Sequence, residues 1–292
     1  MKRHTHRSGF TLIELLVVIS IIGLLVSLTA AGLFRLQSAQ REKITNETLI
    51  KLHESLDLQF KAVIDRAKQE NIPAFTLQYA GFDNVRARVL HVKWRLRQEF
   101  PQSFKEAIAD SPVDPVYNHK PSYAKYLAGA SIGTDSAANE SAVCLLMVLS
   151  QSRGGTTFDP ENVGSTSVGM KVIGGKDFKV FVDQTRTPIA FARWTANPAI
   201  LVEYSNPPYI PAASTYKDPQ DPEGKLVNIP APLAAGLLIL FDTQGLQIIH
   251  PLGAANNYNR SPIVYAAGKN KLFDDQDDLL SFRLRGSGKG GN

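Results

Sequence analysis

Two chemical signals lie within residues 7–16, which read Arg-Ser-Gly-Phe-Thr-Leu-Ile-Glu-Leu-Leu. The first is a candidate proteolytic site between Gly9 and Phe10, where a short basic segment meets a long apolar one. The second is Glu14, the one ionisable side chain between residues 10 and 34. A secretory signal carries a small-residue cleavage site after its apolar stretch, and none follows here. The pattern therefore predicts cleavage before the apolar residues, which remain on the mature chain.

The apolar segment 10–34 has the length and composition of a transmembrane helix. Its residues would rise about 37 Å along an α-helix, more than the roughly 30 Å of a bilayer core. A core helix of a soluble domain is rarely apolar on every face over such a length. Lys2, Arg3 and Arg7 precede the segment, and the positive-inside rule keeps such residues in the cytoplasm. We therefore expect a single-pass membrane protein whose later residues lie outside the cytoplasm.

Glu14 places a carboxylate among leucines, which costs several kcal/mol unless the group is paired or reaches the headgroups. One interpretation is that the side chain, close to the start of the helix, snorkels to the membrane interface. The other is that it pairs with a cation of a neighbouring subunit. Cleavage after Gly9 would supply such a cation, because it frees an α-amino group on Phe10, one helical turn from Glu14.

The string from Gly9 to Glu14, Gly-Phe-Thr-Leu-Ile-Glu, resembles the class III signal of type IV prepilins and type II secretion pseudopilins. The resemblance covers about the first 35 residues. It implies cleavage after Gly9 by prepilin peptidase, N-methylation of Phe10, and contact between Glu14 and the N-terminal amine of an adjacent subunit during assembly. It also implies an inner-membrane location, with other pilin or pseudopilin subunits and the inner-membrane assembly platform as partners.

A second group of oxygen-bearing side chains lies near the C-terminus. Ca²⁺ takes about six to eight oxygen ligands, often from a short acidic loop; the alternative is a solvated acidic turn that caps a final helix. The stretch also resembles the calcium-binding loop of major pseudopilins, through Ala267-Gly268, Asn270 and Asp277-Asp278. It departs at Lys269-Asn-Lys271, where that family often has Pro-Asp-Gly, which weakens the expectation of calcium. The candidate ligands are Asn270, Asp274, Asp275, Asp277 and Asp278.

Helical periodicity continues beyond the apolar segment, so we predict one helix from about Phe10 to Ile72, ended by Pro73. Apolar residues in its second half recur every three or four positions, with charged residues between them. This spacing predicts a stripe buried in a globular domain. The stripe comprises Leu49, Leu52, Leu56, Phe60, Val63 and Ala67.

A second helix, predicted from Asp83 to Phe100 with Asp83 as its N-cap, carries five basic residues. Recognition of nucleic acid requires basic residues clustered on one face, whereas these lie on two flanks. The split favours a solvated amphipathic helix, so nucleic acid is not expected as a partner. The basic residues are Arg86, Lys93 and Arg97 on one flank and Arg88 and Arg95 on the other.

Strand patterns follow a short buried helix predicted at 141–150, where the single cysteine, Cys144, acts as a small buried hydrophobe. We expect a loop between the glycine pairs at 154–155 and 174–175. Helices first and strands later predict an α+β fold, in which the long N-terminal helix packs on a C-terminal antiparallel sheet as in pilins. The predicted strands are 178–182, 188–194, 237–241, 246–249 and 262–265.

These elements imply a leader (1–9), a transmembrane and assembly helix (10–34), an exported pilin-like globular domain (35–285) and a disordered tail (286–292). HExxH and phosphate-loop patterns are absent from the sequence, which disfavours an exported enzyme. The leading hypothesis is a structural subunit of a type II secretion pseudopilus or a type IV pilus-like fibre. The alternative is a minor pilin or adhesin whose enlarged exported domain binds a surface, a polymer or DNA.

Overall fold

The fold is taken from a computed structural model that describes part of the chain. The described residues are 12–111, 114–155, 157–193, 220–221, 223, 225–226, 262–268, 270–273 and 278–281, without the side chains of 28, 30–36 and 38. Several predicted features lie outside them: the cleavage pair Gly9 and Phe10, the strands at 237–241 and 246–249, the tail, and Asp274, Asp275 and Asp277.

The chain divides into two compact units, Met1–Ile44 and Thr45–Asn292. Helix α1 (Leu12–Gln69) contributes to both, which confirms the single long helix and ends it three residues before the predicted position. Arg88 closes its last turn by donating to the carbonyls of Ala67 (3.0 Å) and Glu70 (2.5 Å), which otherwise lack partners at a helix C-terminus. Within the described residues, no helix is long and apolar enough to cross a membrane.

Within the described residues, the second unit contains five further α-helices, and short polar caps start several of them. Asp83 accepts hydrogen bonds from the N–H groups of Val85 and Arg86, which confirms it as an N-cap. Ser103 and Ser136 cap the following helices in the same way. The helices are α2 (Ala74–Tyr79), α3 (Asn84–Glu99), α4 (Phe104–Ile108), α5 (Pro121–Leu127) and α6 (Ala137–Leu149).

Two antiparallel sheets complete the described part of the second unit, so the α+β prediction is confirmed at this level. One is the hairpin of β1 (Val168–Ile173) and β2 (Lys176–Phe181), and the other has the order β3-β4-β5. The turn of the hairpin requires positive φ at Gly174 (+59°) and Gly175 (+76°). The strands of the second sheet are β3 (Ile189–Ala192), β4 (Ile263–Ala266) and β5 (Leu279–Leu280).

Strand β1 corrects the expected loop between the two glycine pairs. Its apolar residues Met170 and Val172 alternate with Lys171, but they lie on a face that remains 58 and 67% exposed rather than in the core. The alternative to a calcium loop was an acidic turn that caps a final helix. The structure has strand β5 directly after the acidic stretch instead.

The core forms around α6 and the stripe of α1. Residues 140–149 of α6 are all buried, including Cys144 as predicted, and α6 packs against β2 and β3. All six stripe residues of α1 are at most 6% exposed. Buried hydrogen bonds also join α1 to the strand regions, one between the hydroxyls of Thr48 and Ser167 (3.0 Å) and one between His53 and Ser281 (2.9 Å). Packing of the long helix on a pilin-like sheet stays a prediction, because two of the predicted strands lie outside the described residues. Within those residues, α6 packs against β2 and β3.

Candidate functional site

The N-terminal part of α1 presents an unbroken apolar surface. Twelve large apolar side chains between Leu12 and Val26 are 44 to 82% exposed. Soluble monomers seldom expose so many neighbouring apolar groups, and a patch of this kind marks contact with a protein or a lipid. This segment is therefore built for an environment that the chain does not itself provide.

The polar side chains of this segment are satisfied by their own helix. Ser20 donates to the carbonyl of Leu16 (2.8 Å), and Ser27 donates to the carbonyl three residues earlier (2.8 Å). Thr29 shares its hydroxyl between the carbonyls three and four residues earlier (3.0 Å each). Such internal bonds let a hydroxyl enter an apolar medium, where an unpaired polar group costs several kcal/mol.

Glu14 lies in the first turn of α1. The positive end of the helix dipole stabilises a carboxylate there, whichever partner that carboxylate has in an assembly. The predicted processing residues, Gly9 and Phe10, precede the described part of the chain. Their roles and the role of Glu14 stay predictions.

Residues 4–30 match the family model described as the prokaryotic N-terminal methylation motif. The chain carries the prepilin signal. The motif is the class III signal of type IV prepilins and pseudopilins, and the matched residues include Gly9, Phe10 and Glu14. Searches of curated proteins and of solved structures found no match to this chain.

The candidate calcium loop joins β4 to β5. Asn270 is exposed, and its side-chain oxygen accepts a hydrogen bond from the N–H of Leu272 (2.7 Å), whereas Asp278 is 6% exposed. The other three candidate ligands fall outside the described residues. Among residues that the structure does describe, no three or more His, Cys, Asp or Glu side chains form a group that could hold a metal ion. Calcium binding stays a prediction.

The basic residues of α3 form a feature that the sequence did not reveal. The expected solvated helix is wrong, because Lys93, Arg86 and Arg97 are only 0, 9 and 6% exposed. Arg97 pairs with Glu106 (3.4 Å), which also pairs with Arg193 (2.7 Å). These cations are committed to protein partners, some near in sequence and others distant, such as Gln220, which accepts a hydrogen bond from Lys93 (3.0 Å).

A polar cleft of about 160 Å³ lies between the second half of α1, α3, the start of α5 and the loop after α6. Two carboxylates line the cleft, and each of them pairs with two cations. Glu70 pairs with Arg66 (3.0 Å) and Arg95 (2.7 Å). The other carboxylate, Glu99, pairs with Lys120 (2.5 Å) and Arg153 (2.8 Å). The lining therefore holds four cations and two anions.

The cations of the cleft control the ionisation of both carboxylates. Burial by itself would raise the pKa of Glu99, but Arg153 and Lys120 outweigh that effect and hold the pKa below its ordinary value. Burial would likewise raise the pKa of Glu70, but the neighbouring cations, with Arg95 as the main one, hold that pKa below its ordinary value. Both groups are therefore charged at neutral pH, so the cleft keeps a net positive charge.

Buried histidines of the described residues serve packing. His53 bonds to Ser281, but the two residues are only 5 and 0% exposed, so this Ser–His pair is closed to a substrate. His91 lies between Tyr117 (2.6 Å) and Glu70 (3.3 Å). Burial and the nearby Arg95 lower its pKa.

Proposed function

We propose that the chain is a prepilin-type structural subunit, cut between Gly9 and Phe10 by prepilin peptidase and assembled into a type II secretion pseudopilus or a type IV pilus-like fibre. The observation that carries this proposal is the methylation motif at residues 4–30, which continues into an exposed apolar helix. Phe10 becomes the methylated N-terminus. Other pilin or pseudopilin subunits and the inner-membrane assembly platform are the partners.

Before assembly, the segment 10–34 anchors the chain in the inner membrane with residues beyond Arg35 outside the cytoplasm. The anchor is argued from the sequence, since it includes residues whose side chains lie outside the described set. Exposed apolar residues from Leu12 to Val26 and hydroxyls bonded to their own helix support it. In the fibre, contacts with other subunits replace the lipid.

Glu14 acts in assembly rather than folding, by pairing with the freed amine of Phe10 on an adjacent subunit. The support is the cost of an unpaired carboxylate in an apolar medium together with the motif. Snorkelling of Glu14 to the headgroups is the competing account, and it requires no second subunit.

The processing step is tested by mass spectrometry of the mature N-terminus. We expect a chain that begins at Phe10 and carries an added methyl group. Gly9→Leu should retain the leader, whereas Gly23→Leu serves as the matched control, because a side chain added at Gly23 meets no atom within 4 Å. An N-terminus beyond residue 30 in the wild-type chain would exclude a prepilin.

The role of Glu14 is tested by incorporation into fibres. Glu14→Ala should reduce incorporation while leaving membrane insertion and the fold of the second unit unchanged. Ser20→Ala is the control, because the Ser20 hydroxyl bonds to its own helix. Equal incorporation of Glu14→Ala and wild-type chains would support snorkelling instead.

Imaging separates the structural subunit from the alternative of a minor pilin or adhesin. A tagged copy distributed along fibres identifies a major subunit, and a copy confined to the tip identifies a minor or adhesive one. A cell without fibres would leave a monomeric anchor and would contradict both.

We further propose that Asn270, Asp274, Asp275, Asp277 and Asp278 bind calcium in the loop between β4 and β5. Binding restricted to the folded state would add about 2.7 kcal/mol of stability at a hundredfold excess over Kd. The melting temperature should rise with calcium and fall with chelator, with magnesium a poor substitute. Asp277→Ala should abolish this response and Asp110→Ala should retain it. A melting temperature indifferent to calcium and chelator identifies a solvated turn.

A further inference from the structure

We propose that the cleft around Glu70 and Glu99 is a binding site for a compact organic anion that carries a carboxylate or phosphate group. The first argument is charge. Arg66, Arg95, Lys120 and Arg153 line the cleft together with the two carboxylates. Each carboxylate neutralises one of its two cations, which leaves a surplus of two positive charges at a partly enclosed surface. An anion with one or two negative charges would balance that surplus.

The second argument is that the cleft retains hydrogen-bond donors. Arg66 reaches Glu70 through Nε, and its two terminal nitrogens make no hydrogen bond to a described residue. Arg95 uses Nε for Glu70 and Nη1 for Gln98 and the carbonyl of Val116, and its Nη2 has no hydrogen-bond acceptor within the described ranges. Lys120 spends one of its three N–H groups on Glu99.

The third argument is that the structural role in the cleft belongs to a different residue. Arg153 is 8% exposed and donates to Gln59, to the carbonyl of Val148 and to the hydroxyl of Tyr123 as well as to Glu99. It thereby ties α1, α3, α5 and α6 together. By contrast, the side chain of Arg66 is 79% exposed at the rim, where an ion pair contributes little to stability.

Size and shape define the ligand class. A cavity of about 150 Å³ accommodates benzene in another protein, so about 160 Å³ accepts a single ring or a group of that size. Guanidinium groups match carboxylate and phosphate oxygens in a planar, two-point geometry. A small phosphate ester meets these requirements, and a uronic acid residue meets them when its carboxylate enters the partly enclosed cleft and part of its ring stays at the rim.

The experiment uses the full-length chain in detergent, with inorganic phosphate and sodium glucuronate as separate probes at constant ionic strength. Isothermal titration should show saturable binding of one or both probes, and the identity of the binder distinguishes phosphate from carboxylate ligands. Arg66→Gln should weaken binding by about threefold to tenfold, the effect of losing one charge-assisted hydrogen bond at a partly exposed site. Lys120→Gln should act in the same direction.

Lys61→Gln is the matched control. Lys61 lies on the same helix, forms an i,i+4 pair with Asp57 (2.9 Å) and has a 67% exposed side chain, but it does not line the cleft. The Lys61→Gln variant should bind the probes with the same affinity as the wild type. Absence of saturable binding of both probes to the wild type, or equal weakening by Arg66→Gln and Lys61→Gln, would overturn the proposal. Should Lys120→Gln fail to fold, the comparison of Arg66 with Lys61 decides the question.

Discussion

The two parts of α1 differ in how much of their apolar surface the protein covers. Large apolar side chains from Leu12 to Val26 are at least 44% exposed, whereas the stripe from Leu49 to Ala67 is at most 6% exposed. Burial of one large apolar side chain stabilises a fold by about 1.5–3 kcal/mol. The second part therefore supports the domain, while the first part leaves its apolar surface for a partner or a lipid.

Polar groups divide the helix in the same way. The hydroxyl of Thr29 bonds only to its own helix in the described residues, whereas Gln59 bonds to the carbonyls of Leu149 and Gln151. One helix thus serves two environments. In its first part the described hydroxyl groups bond to their own helix, and its second part depends on contacts with other elements.

The largest expected effect comes from the same substitution in the two parts. Leu56→Ala should destabilise the domain by about 2–5 kcal/mol, because Leu56 is fully buried and leaves a cavity. Leu16→Ala, at 53% exposure, should change stability by less than about 0.5 kcal/mol. Denaturant unfolding of the full-length chain in detergent, followed by tryptophan fluorescence to which buried Trp94 contributes, measures both. Equal losses of stability in the two variants would contradict the distinction between the two parts of α1.

Polar substitutions should show the next largest difference. Gln59→Leu removes two donated hydrogen bonds and the acceptor of an Arg153 N–H (2.5 Å). Leaving buried partners unpaired costs about 1–3 kcal/mol for each group, so we expect a loss of about 3 kcal/mol. Thr29→Val should leave the same unfolding curve unchanged. A measurable loss from Thr29→Val would show that the first part also carries the fold.

Glycines provide a finer test of contact with α1. A Cβ at Gly154 would lie 2.9 Å from the Cβ of Ala62, and the residue has φ of +58°, so Gly154→Ala should cost about 2 kcal/mol. Gly155 has φ of +77° but meets no atom within 4 Å, so Gly155→Ala isolates the backbone strain, about 1 kcal/mol. The difference in unfolding free energy between the two variants reports the contact. Identical unfolding free energies for the two variants would show that α1 shifts at Ala62 without a cost in stability.

The smallest effect concerns pH. The lowered pKa of His91 means that the folded state binds fewer protons than the unfolded state, so stability falls as pH drops below the ordinary value of 6.5. The depressed pKa of Glu99 adds a further loss below its ordinary 4.5. In a plot of unfolding free energy against pH, His91→Gln should reduce the slope in the higher pH range and Glu99→Gln should reduce it in the lower range. Stability that rises on acidification would contradict both directions.

Local patterns predicted much of the fold. The stripe of α1, the Asp83 cap and the buried helix around Cys144 depend on residues close together in sequence, and all three were confirmed. Strand β1 was missed although Met170 and Val172 alternate with Lys171. The alternation covers few residues and its apolar members face solvent, so this short hairpin gives a weak signal in the sequence.

The same distinction between local and distant residues explains which candidate site could be predicted from the sequence. The prepilin motif is contiguous, so its residues could be assigned without a structure. The cleft is assembled from four separate segments, and its carboxylates, Glu70 and Glu99, lie at the ends of different helices. Charges on two flanks of α3 look solvated until packing brings partners such as Glu70 and Glu106 to them. Calcium binding remains a prediction from the sequence.

The hydrogen bond between His53 and Ser281 has a consequence for the timing of folding. The two residues are 228 positions apart, which corresponds to roughly 10–45 s of synthesis at about 5–20 residues per second. The stripe of α1 is therefore translated well before the segment that closes this part of its surface. Until then the surface of α1 around His53 is uncovered, whereas α6 is already available to the rest of the stripe. A ribosome that stalls late in translation would leave an aggregation-prone helix, because the end of the core is synthesised long after its beginning.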